Sequence, residues 1–209
     1  MVDRIIDTSQ ASATFTLAEW VLGIPRLHVE AIAVFPGLGE EVRILHAIQR
    51  WRENSGSRIF FAGVNPGERT FSELTLSRLR QEPYLVEDVS RVRTGVRAEH
   101  TAEQAQWLVS QVTECGVRSC ELHAPPYHIV RAYLTVLAAM DLENPFILIP
   151  HPTPIPPNYD VPEIGTLAID MTQGEHVRIE RYQSSGDVAG IEQLKRYLGW
   201  FWEQPELDQ

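Results

Sequence analysis

Cysteine is scarce in this chain: two in 209 residues, Cys115 and Cys120. So few thiols at so short a spacing make neither a disulfide framework nor a complete zinc site. They fit free thiols in a reducing compartment. Long apolar runs are missing as well, and no stretch approaches the roughly eighteen apolar residues of a membrane helix. Residues 1–10 carry Asp3, Arg4 and Asp7 instead of the basic-then-apolar order of a secretory leader. The expectation is a cytoplasmic protein. Positive charge is in deficit, because 18 Lys and Arg against 28 Asp and Glu leave a formal net charge of −10. Binding to nucleic acid or to an anionic membrane rests on clustered cations that release counterions, so neither partner is expected. A small anion held in one local pocket stays open. Three catalytic signatures are also absent: a Gly-Lys-Ser/Thr Walker ending, a Gly-x-Ser-x-Gly elbow and His-Glu-x-x-His.

Apolar content is 44% and charged content 22%, which suits one globular domain with a sizeable core. Apolar runs alternate with amphipathic stretches along the chain. Strands are expected at 31–35 (AIAVF), 58–62 (RIFFA), 119–124 (SCELHA) and 146–149 (FILI), each short, apolar and bounded by turn residues. Helices are expected at 14–24, 40–54, 70–80, 101–115, 127–140 and 191–202, with Gly116 and Pro83 among the stops. Residues 89–93 read as a short strand or irregular chain, and 177–182 as an edge strand. Residues 151–162 hold five prolines and read as an extended loop, either the rim of a pocket or a covering strap. This alternation predicts an α/β, Rossmann-like three-layer sandwich with a mostly parallel central sheet over residues 29–209. An N-terminal helical extension, 1–28, precedes it.

In an open α/β sheet, ligands gather beyond the carboxyl ends of the strands, where loops meet helix N-termini. Segments 36–41, 63–69, 124–131 and 150–157 fall there. The first sets Gly37 and Gly39 between a strand and a helix, so its amides suit an anion, or it is simply a tight turn. The second offers Gly63 and Asn65, with Glu68 or Arg69 placed to point across the pocket, or it is a turn with no ligand. The third places Tyr127, His128 and Arg131 in the first turn of an otherwise apolar helix. His128 and Arg131 are three apart and share a face. An imidazole beside a permanent cation suits an anionic group, or acid–base work on one. The plain alternative pairs Arg131 with a core carboxylate and makes His128 a helix cap. Ahead of helix 101–115, Thr101 or His100 suits a cap, while Glu99 is either a solvated carboxylate or a partner for the His128–Arg131 pair. His123, His128 and His151 lie near strand ends, with Glu99 or Asp160 to join them. No two share one regular element at ligand spacing, so no metal is expected.

The order strand, PGLG turn, helix, strand, AGVNPGE turn, then EHTAEQAQWLVSQV, then CELHAPPYHIVRAYLTVL resembles the YdcF-like family, which also contains SanA and ElyC. Glu99, Thr101, Glu103 and Gln104 are similar to that family's Glu…Thr-x-Glu-Asn segment. Tyr127, His128, Arg131 and Ala132 match its Tyr-His-x-x-Arg-Ala element, and QLKRYLGWFWEQP its closing helix. The likeness spans roughly residues 29–204. Ala62-Gly63-Val64 stands in place of an SGG turn, Gln104 in place of Asn, and Ala124-Pro125-Pro126 where Thr or Ser commonly precedes Tyr-His. The resemblance implies a Rossmann-type domain and, for the soluble branch, S-adenosylmethionine binding. The membrane branch is associated with envelope and lipid-carrier metabolism. No settled reaction accompanies the family.

Three functions follow as expectations. One is binding of a small anionic or nucleotide-like ligand, S-adenosylmethionine among the candidates. Gly37, Gly39, Gly63, Asn65, Thr101 and Tyr127 would form the pocket, with His128 and Arg131 on the anionic end and Glu99 orienting them. The second is hydrolysis or transfer of a phosphate or pyrophosphate ester by His128, Arg131 and Glu99. The third is a non-catalytic interaction protein with a degenerate pocket. Trp200, Phe201 and Trp202 are consecutive and cannot all face one side of a helix, so a homodimer is an open possibility.

Overall fold

Short runs of small and branched apolar side chains build the centre of a sheet. The computed structural model describes residues 17–205 except 26 and 55. Strands β1 (Ala31–Val34), β2 (Arg58–Phe61), β3 (Val92–Thr94), β4 (Ser119–Ala124) and β5 (Ile147–Pro152) form one sheet in the order β3-β2-β1-β4-β5. Every pairing is parallel. β1 is central and all four of its residues are buried, as a strand covered on both faces requires. Helix α1 covers residues 17–22 within the described range. α2 (Glu41–Glu53), α3 (Leu76–Leu79), α4 (Thr101–Glu114), α5 (Ile129–Ala139), α6 (Ala168–Met171), α7 (Glu175–Ser185) and α8 (Ile191–Phe201) follow, with a hairpin of β6 (Asp160–Val161) and β7 (Thr166–Leu167) between β5 and α6. The result is a three-layer, Rossmann-like α/β fold with an all-parallel sheet. Leu17, Val21 and Ile24 belong to the same buried cluster as the strands, so α1 packs onto the domain. Most of the expected 1–28 extension lies outside the described residues. No helix among the described residues is long and apolar enough to cross a membrane.

Period-2 alternation on β4 sends Glu121 and His123 toward α2, where Arg50 and His46 meet them. α8 is tied to the sheet by Tyr197, whose hydroxyl accepts the Leu148 amide at 2.7 Å and donates to the Phe146 carbonyl at 3.1 Å.

Three expectations need correction. Only Leu76–Leu79 of the predicted 70–80 helix is helical. Its first turn is held elsewhere: the Thr70 amide and hydroxyl both donate to Glu163, at 2.9 and 2.7 Å, and Thr75 caps the short helix that remains. Residues 177–182 are not a strand but the middle of α7, bracketed by Gly174 and Gly186 in the left-handed region. A 3.6-residue period places Glu175, Ile179 and Tyr182 on one face, and that spacing wins over the apparent alternation. β5 runs on through Pro150-His151-Pro152, which had read as loop. It is an edge strand, and the Ile147 and Thr153 amides point to β4. Residues 148, 150 and 152 therefore turn outward, where proline leaves no donor unsatisfied.

Candidate functional site

The sheet order reverses between β1 and β4, so the crevice beyond their carboxyl ends is the ligand position of an open α/β sheet. A cavity of about 250 Å³ opens there. Gly37, Asn65, Glu99, Thr101, Tyr127, His128 and Arg131, drawn from four separate segments, all line it. Of the remaining predicted positions, Gly39 lines a neighbouring cleft. Its φ of 70° lies in the left-handed region, and a Cβ there would stand 2.9 Å from the Thr70 side chain. Gly63 serves packing: a Cβ would meet the Arg97 carbonyl carbon at 2.5 Å.

The glycine turn is held by side chains. Leu38 adopts φ 56°, and its amide donates to Glu68 Oε2 at 2.8 Å. A carboxylate of the chain itself thus takes a backbone donor of the kind an anionic ligand would use. Burial raises the Glu68 carboxyl above its usual range, partly offset by that amide. Gln104 bridges the two strand ends, donating to the carbonyls of Pro36 at 2.9 Å and Gly63 at 2.8 Å. The turn of the β6–β7 hairpin and the end of α6 border the cleft. Glu163 grips the Arg69 and Thr70 amides and donates its own to Leu38, and Ile164 and Met171 line the opening.

Tyr127 belongs to a buried network. Its hydroxyl donates to Glu40 Oε2 at 2.6 Å and accepts from Arg43 at 3.0 Å, and burial pushes its pKa well up. Arg43 pairs with Glu40 and donates to the Phe35 carbonyl at 2.9 Å. The network locks the starts of α2 and α5 to the end of β1.

His128 precedes α5 with its backbone helical and makes no cap hydrogen bond. It is 6% exposed, and its Nδ1 is buried without a hydrogen-bond partner. Burial first, then the nearby charges of Arg131, Arg43 and Arg178, hold its pKa well below 6.5. It is a neutral imidazole at physiological pH. Arg131 is already engaged. Nε donates to Glu175 Oε2 at 2.8 Å, one terminal nitrogen reaches Glu175 Oε1 at 3.4 Å, and the other reaches the Thr101 hydroxyl at 3.3 Å. Arg178 meets the same carboxylate at 2.7 Å. The Glu99 side chain is exposed on the rim, while its carbonyl accepts from Asn65 at 2.9 Å. His100 occupies the cap position of α4 without a side-chain cap bond. Glu103 accepts the Glu99 amide at 2.7 Å.

Glu68 lines the cleft as its place in the second turn suggests, whereas Arg43, Arg178 and Glu175 line it without having been singled out from the sequence. Glu175 and Arg178 sit on the helix that had read as a strand. The one legible sign of Arg43 was its i,i+3 spacing from Glu40 at a helix start. No family model matches the chain, and no curated protein matches it.

Proposed function

We propose that the cleft beyond β1 and β4 binds a small anionic or phosphate-bearing ligand, nucleotide-like ligands included. One observation carries this reading. Three guanidinium groups, of Arg43, Arg131 and Arg178, surround a neutral imidazole whose Nδ1 is buried and unpartnered. A buried polar atom without a partner costs on the order of 1–3 kcal/mol, which a ligand atom in the cleft would recover. The cavity stands near the small end of ligand sites, about 300–1,000 Å³, and so favours a compact ligand over a dinucleotide. His128 is a hydrogen-bonding group in this reading: an imidazole held well below 6.5 is a weak base, and that favours binding over ester hydrolysis. S-adenosylmethionine enters only through the resemblance to YdcF-like proteins. Its carboxylate would take the arginine end, with Glu99 toward its sugar.

The test is a thermal-shift screen with phosphate, pyrophosphate, nucleoside phosphates and S-adenosylmethionine, since a ligand of the native state raises its melting temperature. At least one compound is expected to raise it, and Arg131→Ala is expected to weaken that response. Failure of every compound, or an unchanged response in folded Arg131→Ala, overturns the reading. Turnover of a generic phosphate ester that is lost in His128→Ala would instead establish the hydrolase.

A further inference from the structure

We infer that His46, His123 and His151 form a site for a divalent transition ion of the Zn²⁺ class, separate from the anion cleft. Sequence spacing offers no such site, because each ligand comes from a different element. Alternation along β4 sends Glu121 and His123 to the α2 side. The parallel register places His123 directly beside His151 of β5. Helix α2 lays His46 over them and, one turn later, Arg50 over Glu121. Each imidazole offers one nitrogen, and the three atoms all lie within 4.8 Å of one another. His46 Nδ1 and His123 Nδ1 are 3.4 Å apart. Two nitrogens held about 2.0–2.1 Å from a tetrahedral ion stand about 3.4 Å apart. That pair already has the required separation, and closing the set needs side-chain movement of roughly 1 Å.

Tautomers point the same way. A carboxylate only accepts, so the nitrogen facing it carries the proton. His123 Nε2 lies 2.7 Å from Glu121 Oε1, which leaves the lone pair on Nδ1, toward His46. His151 Nδ1 lies 3.1 Å from the same oxygen as a close electrostatic contact, off the line of a hydrogen bond, and is buried without a hydrogen-bond partner. The buried carboxylate thereby orients His123, the outer-shell arrangement that metal-binding histidines use. The His123 and His151 rings stack at 4.3 Å, so they do not fan apart into solvent. A cleft bordered by His46, Gln49, Arg50, Glu53 and His151 leaves a fourth position open to solvent. Closed structural zinc sites have no such opening. Arg50 contacts both oxygens of Glu121, at 3.2 and 3.3 Å, and neutralises it. The ion therefore meets a ligand set of no net charge, and removing Arg50 should tighten its binding.

The experiment uses the untagged full chain after chelator treatment, titrated with Zn²⁺ by calorimetry and with Co²⁺ by visible absorption. One equivalent is expected, with the intense bands of four-coordinate Co²⁺. His46→Gln, at a half-buried position on the helix surface, should weaken binding by more than about 100-fold, since outer-shell losses alone reach about 10–100-fold. Its circular dichroism should match wild type. Arg50→Gln should tighten binding several-fold, and Arg131→Ala should leave it unchanged, which keeps this site distinct from the anion cleft. Absence of stoichiometric binding by wild type, or wild-type affinity in folded His46→Gln, overturns the inference. The cluster would then be a packed set of imidazoles beside Glu121 with no ion to hold.

Discussion

Glu175→Gln separates two contributions that the anion cleft now cancels. Arg43, Arg131 and Arg178 face Glu68, Glu99 and Glu175, so the lining carries three positive and three negative formal charges. Glu175 alone engages two of the guanidiniums, and its side chain is 10% exposed. Replacing it by glutamine keeps the shape and an acceptor oxygen but removes one negative charge. An anion on Arg131 would sit about 6 Å from that carboxylate, where an effective dielectric near 20 gives about 3 kcal/mol of repulsion. The cleft is open and Arg131 is 16% exposed, so roughly half survives screening, about 1–2 kcal/mol, or about 5- to 30-fold in affinity. The same change leaves two facing guanidiniums without their shared counter-charge, at a cost of about 1–3 kcal/mol in stability for partly exposed groups. The expected outcome is a protein that melts earlier without ligand and binds pyrophosphate more tightly. Calorimetry at low ionic strength reads the affinity, because salt shrinks the effect. Unchanged or weaker pyrophosphate binding by the folded variant refutes an electrostatically tuned anion site.

Part of the acid sensitivity should trace to His128, the other part to His123, whose burial lowers its pKa to about 4. Above pH 6.5 both folded and unfolded chains carry His128 neutral. Below that value the unfolded chain takes a proton that the folded one refuses, so stability falls by about 1.4 kcal/mol per pH unit until the folded form protonates. Urea midpoints between pH 7.5 and 5 should fall less steeply for His128→Gln, and parallel slopes would count against the assignment. Glu68→Gln removes the charge that competes for the Leu38 amide, and it is expected to tighten pyrophosphate binding by about 3- to 10-fold; equal affinity would show that this carboxylate is not in the ligand's way. Gly63→Ala drives a methyl into the Arg97 and Ala98 backbone and should cost about 1–3 kcal/mol in chemical denaturation, whereas a neutral result would mean that the 95–98 segment yields freely.

Local pattern made much of the fold legible. AIAV, RIFF and SCELHA are short, apolar and bounded by turn residues, and those properties belong to the segment itself. Their expected placement at one end of a parallel sheet was enough to bring Gly37, Asn65, Glu99, Thr101, Tyr127, His128 and Arg131 to one cleft. Where two periods competed over a few residues, local pattern failed. α7 carries an alternation that imitates a strand, and packing of Glu175 and Ile179 decided the matter. The prolines of β5 imitate a loop until the strand is known to lie at an edge.

The sequence by itself determined the fold class, strands β1, β2 and β4 and helices α2, α4, α5 and α8, because hydrophobic period and turn chemistry act over a few neighbouring residues. Only the tertiary structure decided which charges meet. Arg131 and Glu175 are 44 positions apart, and His46 lies 77 from His123. Such pairings depend on strand order and helix placement, and no spacing along the chain encodes either.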